Sequence, residues 1–417
     1  MSKTYFYMEQ DQMPRFSTAI VGGGPAGVFA AIFASKDLNN SITVYEKSDI
    51  LKTLLPTGGG RCNLAYSEFD IKSLASNYPR GEKFLYSAFS KFSTTETLEF
   101  FEQIGVKTYT QEDMRIFPQT NSSAQVRKAL ISLLDAAPNV KIVKNEIKTI
   151  KKTAEKFIIE TANGAKSYDA VVIATGGKGA GHKIAAQLGH SVSALKPALT
   201  GLKIKENFLT ELSGLSLKNV TASVPSEKLR CVRGDLLFTH SGISGPLAFK
   251  ISSYCAYSDY GENTPLTVVF NISGESFQEF DKTLAQKLNE EAKKDISNVL
   301  CAFAPKRFCD LILEQESIPS DKKSGQVSKT ERQKLTKALT ELTLHIIAPL
   351  RGGEIVTAGG VSLNEINPRT MESKIVKNLY FCGEVMDIDG LCGGFNLQNC
   401  WSTGYSAGMA LCLRERD

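Results

Sequence analysis

The stretch STAIVGGGPAGVFAAIFA, residues 17–34, decides the fold of this chain. It opens with TAIV, a short apolar run typical of a buried strand, and closes with an alanine-rich segment that has helical periodicity. Between them, GGGPAG at 22–27 fits the pattern GxGxxG, and ITVYE at 42–46 supplies a second strand that ends in an acid. This order of strand, glycine turn, helix and strand predicts one βαβ unit that binds a dinucleotide.

The glycines of the turn have separate tasks in such a unit. Gly22 allows the tight turn, Gly24 lets the backbone approach a pyrophosphate, and Gly27 lets the helix pack against the strand. Glu46, 19 residues after Gly27, is expected to bind the hydroxyl groups of the adenosine ribose. Because an acid at this position repels a 2′-phosphate, FAD or NAD is favoured over NADP. The alternative is a glycine turn in an unrelated α/β protein.

A second glycine-rich stretch, TGGGRCN at 57–63, follows soon after Glu46. A simple NAD domain needs no such loop, so a large ligand is expected to approach its backbone. Bare N–H groups can form an anion-binding nest, and Arg61 adds a charge suited to a carboxylate, a phosphate or an electron-rich ring. The alternative is a structural turn. For Cys62, a buried thiol without chemistry is favoured over a redox role, because no second cysteine lies at a characteristic spacing.

The C-terminal block LYFCGEVMDIDGLCGGFNLQNCWSTGYSAGMAL, residues 379–411, repeats the order of strand, loop and helix. In a flavoprotein, Glu384 at the end of the strand would bind the ribitol hydroxyls. The helix that begins near Asn396 would point its N-terminus at the flavin N1/C2 carbonyl edge and so stabilise an anionic reduced flavin. Gly404 and Gly408 also allow this helix to pack closely, and both interpretations can hold together.

One histidine is a candidate for contact with substrate. His240 lies in FTHSGISGP, a polar, turn-rich stretch with glycines, and a hydrogen-bonded loop histidine is the alternative. The other three, His182, His190 and His345, are expected to be structural or solvated.

The pattern of elements predicts an α/β fold whose first domain is built from both chain ends. Residues 140–176 read as strands around an Asn163-Gly164 turn, and 198–275 remain strand-like, which predicts a small antiparallel barrel or sandwich. The segment after residue 275 shows long helical patterns rich in Lys, Glu, Leu and Gln. The C-terminal tail then has the pattern of a strand followed by a helix. The expected division is a Rossmann-like FAD-binding domain (1–195 and 346–417), an inserted β-barrel-like domain (196–275) and a helical insertion (276–345). Capping boxes at Ser93/Glu96 and Ser122/Gln125 predict two helix starts.

Composition excludes some classes of protein. The chain has 417 residues and a net charge of +5 without a run of five like charges, so a nucleic-acid partner has little support. The first 16 residues do not read as a signal peptide, and glycines interrupt the most apolar window, which argues against a membrane span. Nine cysteines without a CxxC pair indicate reduced, cytoplasmic thiols and no metal site.

Several motifs together resemble one family. TGGGRCN, RIFP, ATGG, GDLLFTHSGISGP, VTAGGV and the long C-terminal block occur in the order seen in BaiN-like, or aminoacetone-oxidase-like, bacterial flavoproteins. The resemblance spans nearly the whole chain and implies non-covalent FAD, a Rossmann-like domain formed by both ends, an inserted barrel and a helical domain. The chain departs from the family at Ala65-Tyr66, where Thr-Asn is usual, at Met114 for a glycine and at Cys400 for an alanine. The first departure is expected to lie beside the flavin.

The motifs and the resemblance together give the expected site. Arg61 and His240 are the candidate catalytic residues, as electrostatic or proton partners of the substrate. The residues expected to contact the cofactor are Gly22, Gly24, Pro25, Ala26, Gly27, Glu46, Lys47, Thr57, Gly58, Gly59, Gly60, Arg61, Cys62, Asn63, Ile147, Thr175, Gly176, Gly177, Gly383, Glu384, Gly393, Gly394, Phe395, Asn396 and Leu397.

The leading hypothesis is an FAD-dependent oxidoreductase that transfers a hydride between flavin and a small organic substrate. NAD(P)H is a candidate donor that would bind transiently, since no second GxGxxG domain exists, and oxygen is a candidate acceptor. A second hypothesis is a structural or sensory flavin with a macromolecular partner. A third is a plain NAD-dependent dehydrogenase, which would be colourless.

Overall fold

The computed structural model describes residues 16–227, 229–350, 352 and 355–414. The strands are β1 Phe16–Val21, β2 Asn40–Glu46, β3 Ala65–Tyr66, β4 Thr108–Thr110, β5 Arg115–Pro118, β6 Val140–Lys144, β7 Ile147–Lys152, β8 Phe157–Thr161, β9 Gly164–Tyr168, β10 Ala170–Ile173, β11 Lys196–Ala198, β12 Leu202–Ile204, β13 Ser216–Val224, β14 Leu229–Thr239, β15 Gly242–Ser244, β16 Leu266–Asn271, β17 Leu342–Pro349, β18 Val356–Ala358 and β19 Leu379–Phe381. The helices are α1 Pro25–Ala34, α2 Ile71–Ala75, α3 Glu82–Phe89, α4 Thr94–Gln103, α5 Ser123–Ala136, α6 Gly181–Gln187, α7 Gly245–Tyr254, α8 Phe277–Glu290, α9 Ile296–Leu300, α10 Lys306–Gln315, α11 Lys329–Thr340 and α12 Phe395–Cys412. They group into two compact units, Met1–Leu195 with Ala358–Asp417, and Lys196–Thr357.

The first unit is built on a parallel sheet with the strand order β19-β10-β1-β2-β6. Every neighbouring pair in it is parallel, and β10 is buried along its whole length, as expected for a sheet covered on both faces. The C-terminal segment supplies β19, which pairs with β10 of the N-terminal segment, and this confirms the predicted Rossmann-like fold. Since ligands of such sheets bind at the carboxyl ends of the strands, the segments after β1, β2, β10 and β19 form the expected binding edge.

Two glycines allow the last helix to lie directly on the first. A Cβ at Gly404 would be 2.5 Å from the carbonyl oxygen of Ala26, and one at Gly408 would be 2.7 Å from that of Ala30. Any larger side chain would therefore push α12 away from α1. The close packing inferred from the small residues is confirmed, and it fixes the N-terminus of α12 relative to the glycine turn before α1.

The second unit is a closed antiparallel barrel with the strand order β12-β15-β14-β13-β16-β17 among its described residues. The helices α8 to α11 come between β16 and β17 in sequence and share the barrel's core, with the rings of Phe238 and Phe308 stacked 6.3 Å apart. Residues 346–349, expected in the first domain, lie instead in the last barrel strand. Pairing of Ile346 with Leu266 and Ile204 places this strand there, a long-range contact that periodicity does not reveal.

Local predictions had different outcomes. Ser93 and Glu96 form the reciprocal capping box expected at the start of α4. The box predicted at Ser122 is wrong, because the Ser122 side chain makes no cap hydrogen bond and Gln125 accepts one from Thr120 instead. The hairpin turn before β9 has Gly164 at φ 110°, as the Asn-Gly pair predicted.

Candidate functional site

The glycine turn after β1 is fixed by two close backbone contacts. Gly22 has φ 111°, and a Cβ there would be 2.3 Å from the carbonyl oxygen of Ala174. A Cβ at Gly27 would be 2.0 Å from the carbonyl oxygen of Gly22. The fold itself therefore requires glycine at both positions.

Gly24 differs, because the protein leaves room beside it. A Cβ at Gly24 would meet a single heavy atom within 4 Å, the Thr53 hydroxyl oxygen at 3.6 Å. Gly24 is also the N-cap of α1, whose first turn begins with Pro25 and Ala26, so its free N–H groups and partial positive charge lie beside this space. Room next to a helix N-terminus fits a pyrophosphate group.

Glu46 is held in place at the end of β2. One carboxylate oxygen accepts from the Gly23 N–H at 2.8 Å, and the other accepts from both the N–H and the hydroxyl of Ser48, each at 2.8 Å. A carboxylate has about four acceptor sites, so capacity remains for a ribose hydroxyl. Lys47, the next residue, is exposed.

The second glycine stretch contains both a packed and an open part. A Cβ at Gly58 would lie 2.8 Å from the backbone nitrogen of Asn63, so the packing of the loop requires glycine here. Gly59 and Gly60 have φ of 70° and 86°, and a Cβ at either would meet nothing within 4 Å. The turn Thr57–Gly60 is closed by the Cys62 N–H, which donates to the Thr57 carbonyl at 2.9 Å. Thus a turn and an accessible backbone coexist in one loop.

Arg61 is half-buried against an aromatic ring. Its guanidinium carbon lies 4.1 Å from the centre of the Phe117 ring, and its Nε donates to the Gly58 carbonyl at 3.2 Å. The two terminal nitrogens have no hydrogen-bond partner among the described residues. One part of the guanidinium thus anchors the loop while the terminal nitrogens remain available to a ligand.

Cys62 is completely buried, and burial raises the pKa of its thiol to about 12. A thiol with that pKa is protonated near neutral pH, whereas redox and nucleophilic cysteines react as thiolates. The geometry therefore supports the interpretation of a thiol without chemistry. Burial, with the charge of Glu384, likewise raises the pKa of Cys400 to about 12.

Asn63 joins the glycine stretch to the C-terminal block. With its side-chain amide in the orientation that its neighbours require, the nitrogen donates to the carbonyl oxygens of Ile116 and Ala65 at 3.2 and 3.0 Å, and the oxygen accepts from the Gly394 N–H at 3.0 Å. A Cβ at Gly394 would be 2.6 Å from the Ala65 carbonyl oxygen, so the two backbones touch. Two motifs that are distant in sequence are brought together by these contacts.

The segment after β19 reaches the first turn of α1. Gly383 has φ 75°, donates its N–H to the Thr403 hydroxyl at 2.9 Å, and would place a Cβ 2.7 Å from that of Ala26. Glu384 follows it and is half-buried. The predicted ribitol-binding acid therefore lies near the predicted pyrophosphate-binding helix.

The N-terminus of α12 is preceded by Gly393 and Gly394, and Gly394 is its N-cap at φ 98°. The side chain of Asn396 does not cap the helix. It accepts from the Gly390 N–H at 2.9 Å and donates to the Gly390 carbonyl at 2.7 Å, which closes the preceding loop. Phe395 is buried and Leu397 is half-buried, so this helix end offers a ligand mainly backbone N–H groups.

The remaining expected residues are Thr175–Gly177 at the same edge of the sheet, Ile147 elsewhere in the first unit, and His240 in the second unit. Thr175 follows β10 with its buried hydroxyl unpaired, and Gly176, at φ 71°, and Gly177 come next. Ile147 begins β7 and turns its side chain into the core. His240 is exposed in the turn between β14 and β15 of the second unit, so its role stays a prediction.

Sequence reasoning missed an ion pair that supports this edge. Arg80 pairs with Asp389 through both carboxylate oxygens, and the Asp389 side chain is fully buried. The pair anchors the loop that precedes the N-terminus of α12. No spacing rule connects two residues so far apart in sequence.

Two negative findings concern the described residues alone. None of their helices is long and apolar enough to span a membrane. Within the same ranges, no group of three or more His, Cys, Asp or Glu residues is arranged to hold a metal ion.

Comparison with known families gives a match over nearly the whole chain. The family described as HI0933-like protein Rossmann domain matches residues 16–410. The chain belongs to this family. A 3-dehydro-bile acid delta(4,6)-reductase of Clostridium scindens is 31% identical over 410 residues, covering 95% of this chain and 98% of the relative. The family resemblance is confirmed, and the chain is an FAD-dependent oxidoreductase.

Other relatives extend the comparison. A ribosomal RNA dihydrouridine synthase of Escherichia coli is 28% identical over 409 residues, covering 96% of this chain and 98% of the relative. Among solved structures, a mutant of the E. coli quinol fumarate reductase FrdA is similar, with a TM-score of 0.50 and 14% identity over 95% of this chain and 70% of that one. At this identity the likeness shows the fold alone.

Proposed function

We propose that this chain is a reductase that binds FAD without a covalent bond and adds a hydride to a carbon–carbon double bond conjugated with a carbonyl group. The proposed reaction is inferred from the names of the two relatives described above. One is named for reduction of a 3-dehydro bile acid at its delta(4,6) bonds, and the other for formation of dihydrouridine from uridine in RNA. Both names describe reduction of a ring double bond that is conjugated with a carbonyl.

The proposed cofactor site is the carboxyl edge of the parallel sheet. The space beside Gly24 would take the pyrophosphate, Glu46 the adenosine ribose, and Glu384 the ribitol chain. The glycines before α12 and its first N–H groups would lie at the pyrimidine end of the flavin ring, where the helix dipole favours negative charge. Lys47, with the backbone of Ile147 and of the segment Thr175–Gly177, would complete the adenine and phosphate contacts.

The bound flavin supplies the two-electron chemistry. The protein's contribution is to orient the substrate and to balance charge. The terminal nitrogens of Arg61, beside the open backbone of Gly59 and Gly60, would hold a carbonyl or another electron-rich group of the substrate. A nicotinamide would bind transiently as electron donor, since the sequence has no second GxGxxG unit.

An anaerobic reoxidation experiment tests this function. The flavin of the purified protein is reduced with dithionite and mixed with cyclohex-2-enone, a 3-oxo-Δ4,6 steroid or a uridine-containing RNA oligonucleotide. At least one of these acceptors is expected to restore the oxidised flavin spectrum and to yield the saturated product. If oxygen alone reoxidises the flavin, the chain is an oxidase and the proposal is wrong. If the RNA oligonucleotide alone reoxidises the flavin, the substrate is a nucleic acid and not a small molecule.

A further inference from the structure

Tyr66 lies against the segment where the flavin ring is expected. It occupies β3, directly after Ala65, whose carbonyl touches the backbone of Gly394. Its ring packs on Phe395 at a tilt of 33° with the centroids 4.8 Å apart, and a Cβ at Gly393 would be 3.1 Å from a ring carbon of Tyr66. The phenol therefore packs on the glycine pair that precedes the N-terminus of α12.

The hydroxyl of Tyr66 is available for chemistry. The side chain is half-buried, and the hydroxyl has no hydrogen-bond partner among the described residues. Burial, followed by the negative charges of Asp113 and Glu68, raises the pKa of the phenol, and Arg115 is paired with Asp113. A phenol held protonated at neutral pH is a proton donor rather than a base.

We propose that Tyr66 donates the proton that completes reduction of the conjugated double bond. The β-carbon receives a hydride from the reduced cofactor, so a C–H bond forms there and the π electrons move toward the carbonyl. The Tyr66 O–H bond then breaks, its proton forms the second C–H bond at the α-carbon, and the phenolate recovers a proton from solvent. The substrate gains two electrons, the cofactor loses two, and a nicotinamide-type two-electron donor restores it.

This inference rests on the proposed function. A phenol carries an ionisable proton, which is what the step at the α-carbon requires. Tyr66 therefore favours substrates whose α-carbon receives its proton from the protein and not from water.

The test compares Tyr66→Phe with the wild-type holoenzyme and with Tyr109→Phe as a matched control. Tyr109 lies on β4 of the same small sheet, and its hydroxyl is already donated to Asn121 at 2.8 Å. Removing the Tyr66 hydroxyl breaks no hydrogen bond, and the bond that Tyr109→Phe removes is exposed to water, so both variants are expected to fold and to keep FAD. Reoxidation of the reduced flavin by the acceptor that works for the wild type should slow on the order of 100-fold in Tyr66→Phe alone, the scale of a lost general acid. Reoxidation by oxygen should be unchanged.

A spectroscopic readout is independent of turnover. As the pH is raised above the ordinary range of tyrosine, ionisation of a phenol beside the oxidised flavin should produce a long-wavelength absorption band in the wild type and in Tyr109→Phe. Tyr66→Phe should lack it. The proposal is overturned if Tyr66→Phe is reoxidised by the acceptor at the wild-type rate, or if it shows the same band. Failure of every acceptor to reoxidise the wild type would instead overturn the reductase function itself and the role of Tyr66 with it.

Discussion

Replacing Gly24 with alanine is expected to weaken FAD binding while leaving the fold intact. The backbone at Gly24 has φ −77° and ψ −176°, a conformation that any residue adopts, and the nearest atom to an added Cβ is 3.6 Å away. Two small effects on stability oppose each other. Alanine is a poorer N-cap than glycine by less than about 1 kcal/mol, and it lowers the entropy of the unfolded chain, which stabilises by roughly 0.4–1 kcal/mol. The free energy of unfolding should therefore change by less than about 1 kcal/mol.

The cofactor responds differently, because the added methyl group takes space that a pyrophosphate needs. Forcing one extra carbon into a packed contact costs roughly 1–3 kcal/mol, which corresponds to a dissociation constant about 5 to 150 times larger. Gly24→Val adds two more carbons and should give a folded protein without colour. Flavin content is measured from the visible absorbance per chain, affinity by titrating the apoprotein with FAD, and stability by thermal unfolding.

Gly27→Ala is the matched control, since its Cβ would lie 2.0 Å from the Gly22 carbonyl oxygen. It should lower the melting temperature by several degrees, on the scale of a clash that costs roughly 1–3 kcal/mol. The reasoning is refuted if Gly24→Ala binds FAD as tightly as the wild type, or if it loses as much thermal stability as Gly27→Ala.

Three further outcomes are expected. Glu46→Gln should weaken FAD by roughly 1–3 kcal/mol, the scale of hydrogen bonds to a charged group, and an unchanged dissociation constant would assign the ribose to another residue. Arg61→Lys and Arg61→Ala should change the rate of a flavin half-reaction in stopped flow while the melting temperature stays within a few degrees; a sharp loss of stability with intact half-reactions would mean that Arg61 anchors the loop and has no role at the flavin. Because the folded-state pKa of Cys62 is about 12 and exceeds its unfolded value, its contribution to stability is present below the unfolded pKa and lost as pH rises between about 9 and 12. The urea midpoints of the wild type and of Cys62→Ala should come closer together as the pH rises over that range. A difference in midpoint that stays constant with pH would refute the assigned burial.

Much of the cofactor domain is predictable because its signals are local. The turn at 22–27 sits between a strand and a helix, and the spacing to Glu46 is a property of one βαβ unit. The structure brings Glu46 to the Gly23 N–H and Gly383 to Ala26, as a single ligand site requires. These relations need only element order and the rule that strands of a parallel sheet end at the same edge.

Other features depend on contacts that a sequence does not encode locally. The carbonyl of Ala65 meets the backbone of Gly394 only because β3 folds against the start of α12. The capping box predicted at Ser122 does not form, because the Gln125 side chain accepts a hydrogen bond from Thr120 instead. Closure of the barrel by β17 depends on pairing across the helical segment, so periodicity alone placed its last residues in the wrong domain.

The most direct measurement for the central claim is the visible absorption spectrum of the purified chain, with the bound nucleotide released by denaturation and identified by mass. An FAD-dependent enzyme of this family should be yellow, show the two bands of an oxidised flavin, and release FAD at close to one molecule per chain. A correctly folded protein that stays colourless after incubation with FAD, or one that releases NAD, would contradict the account.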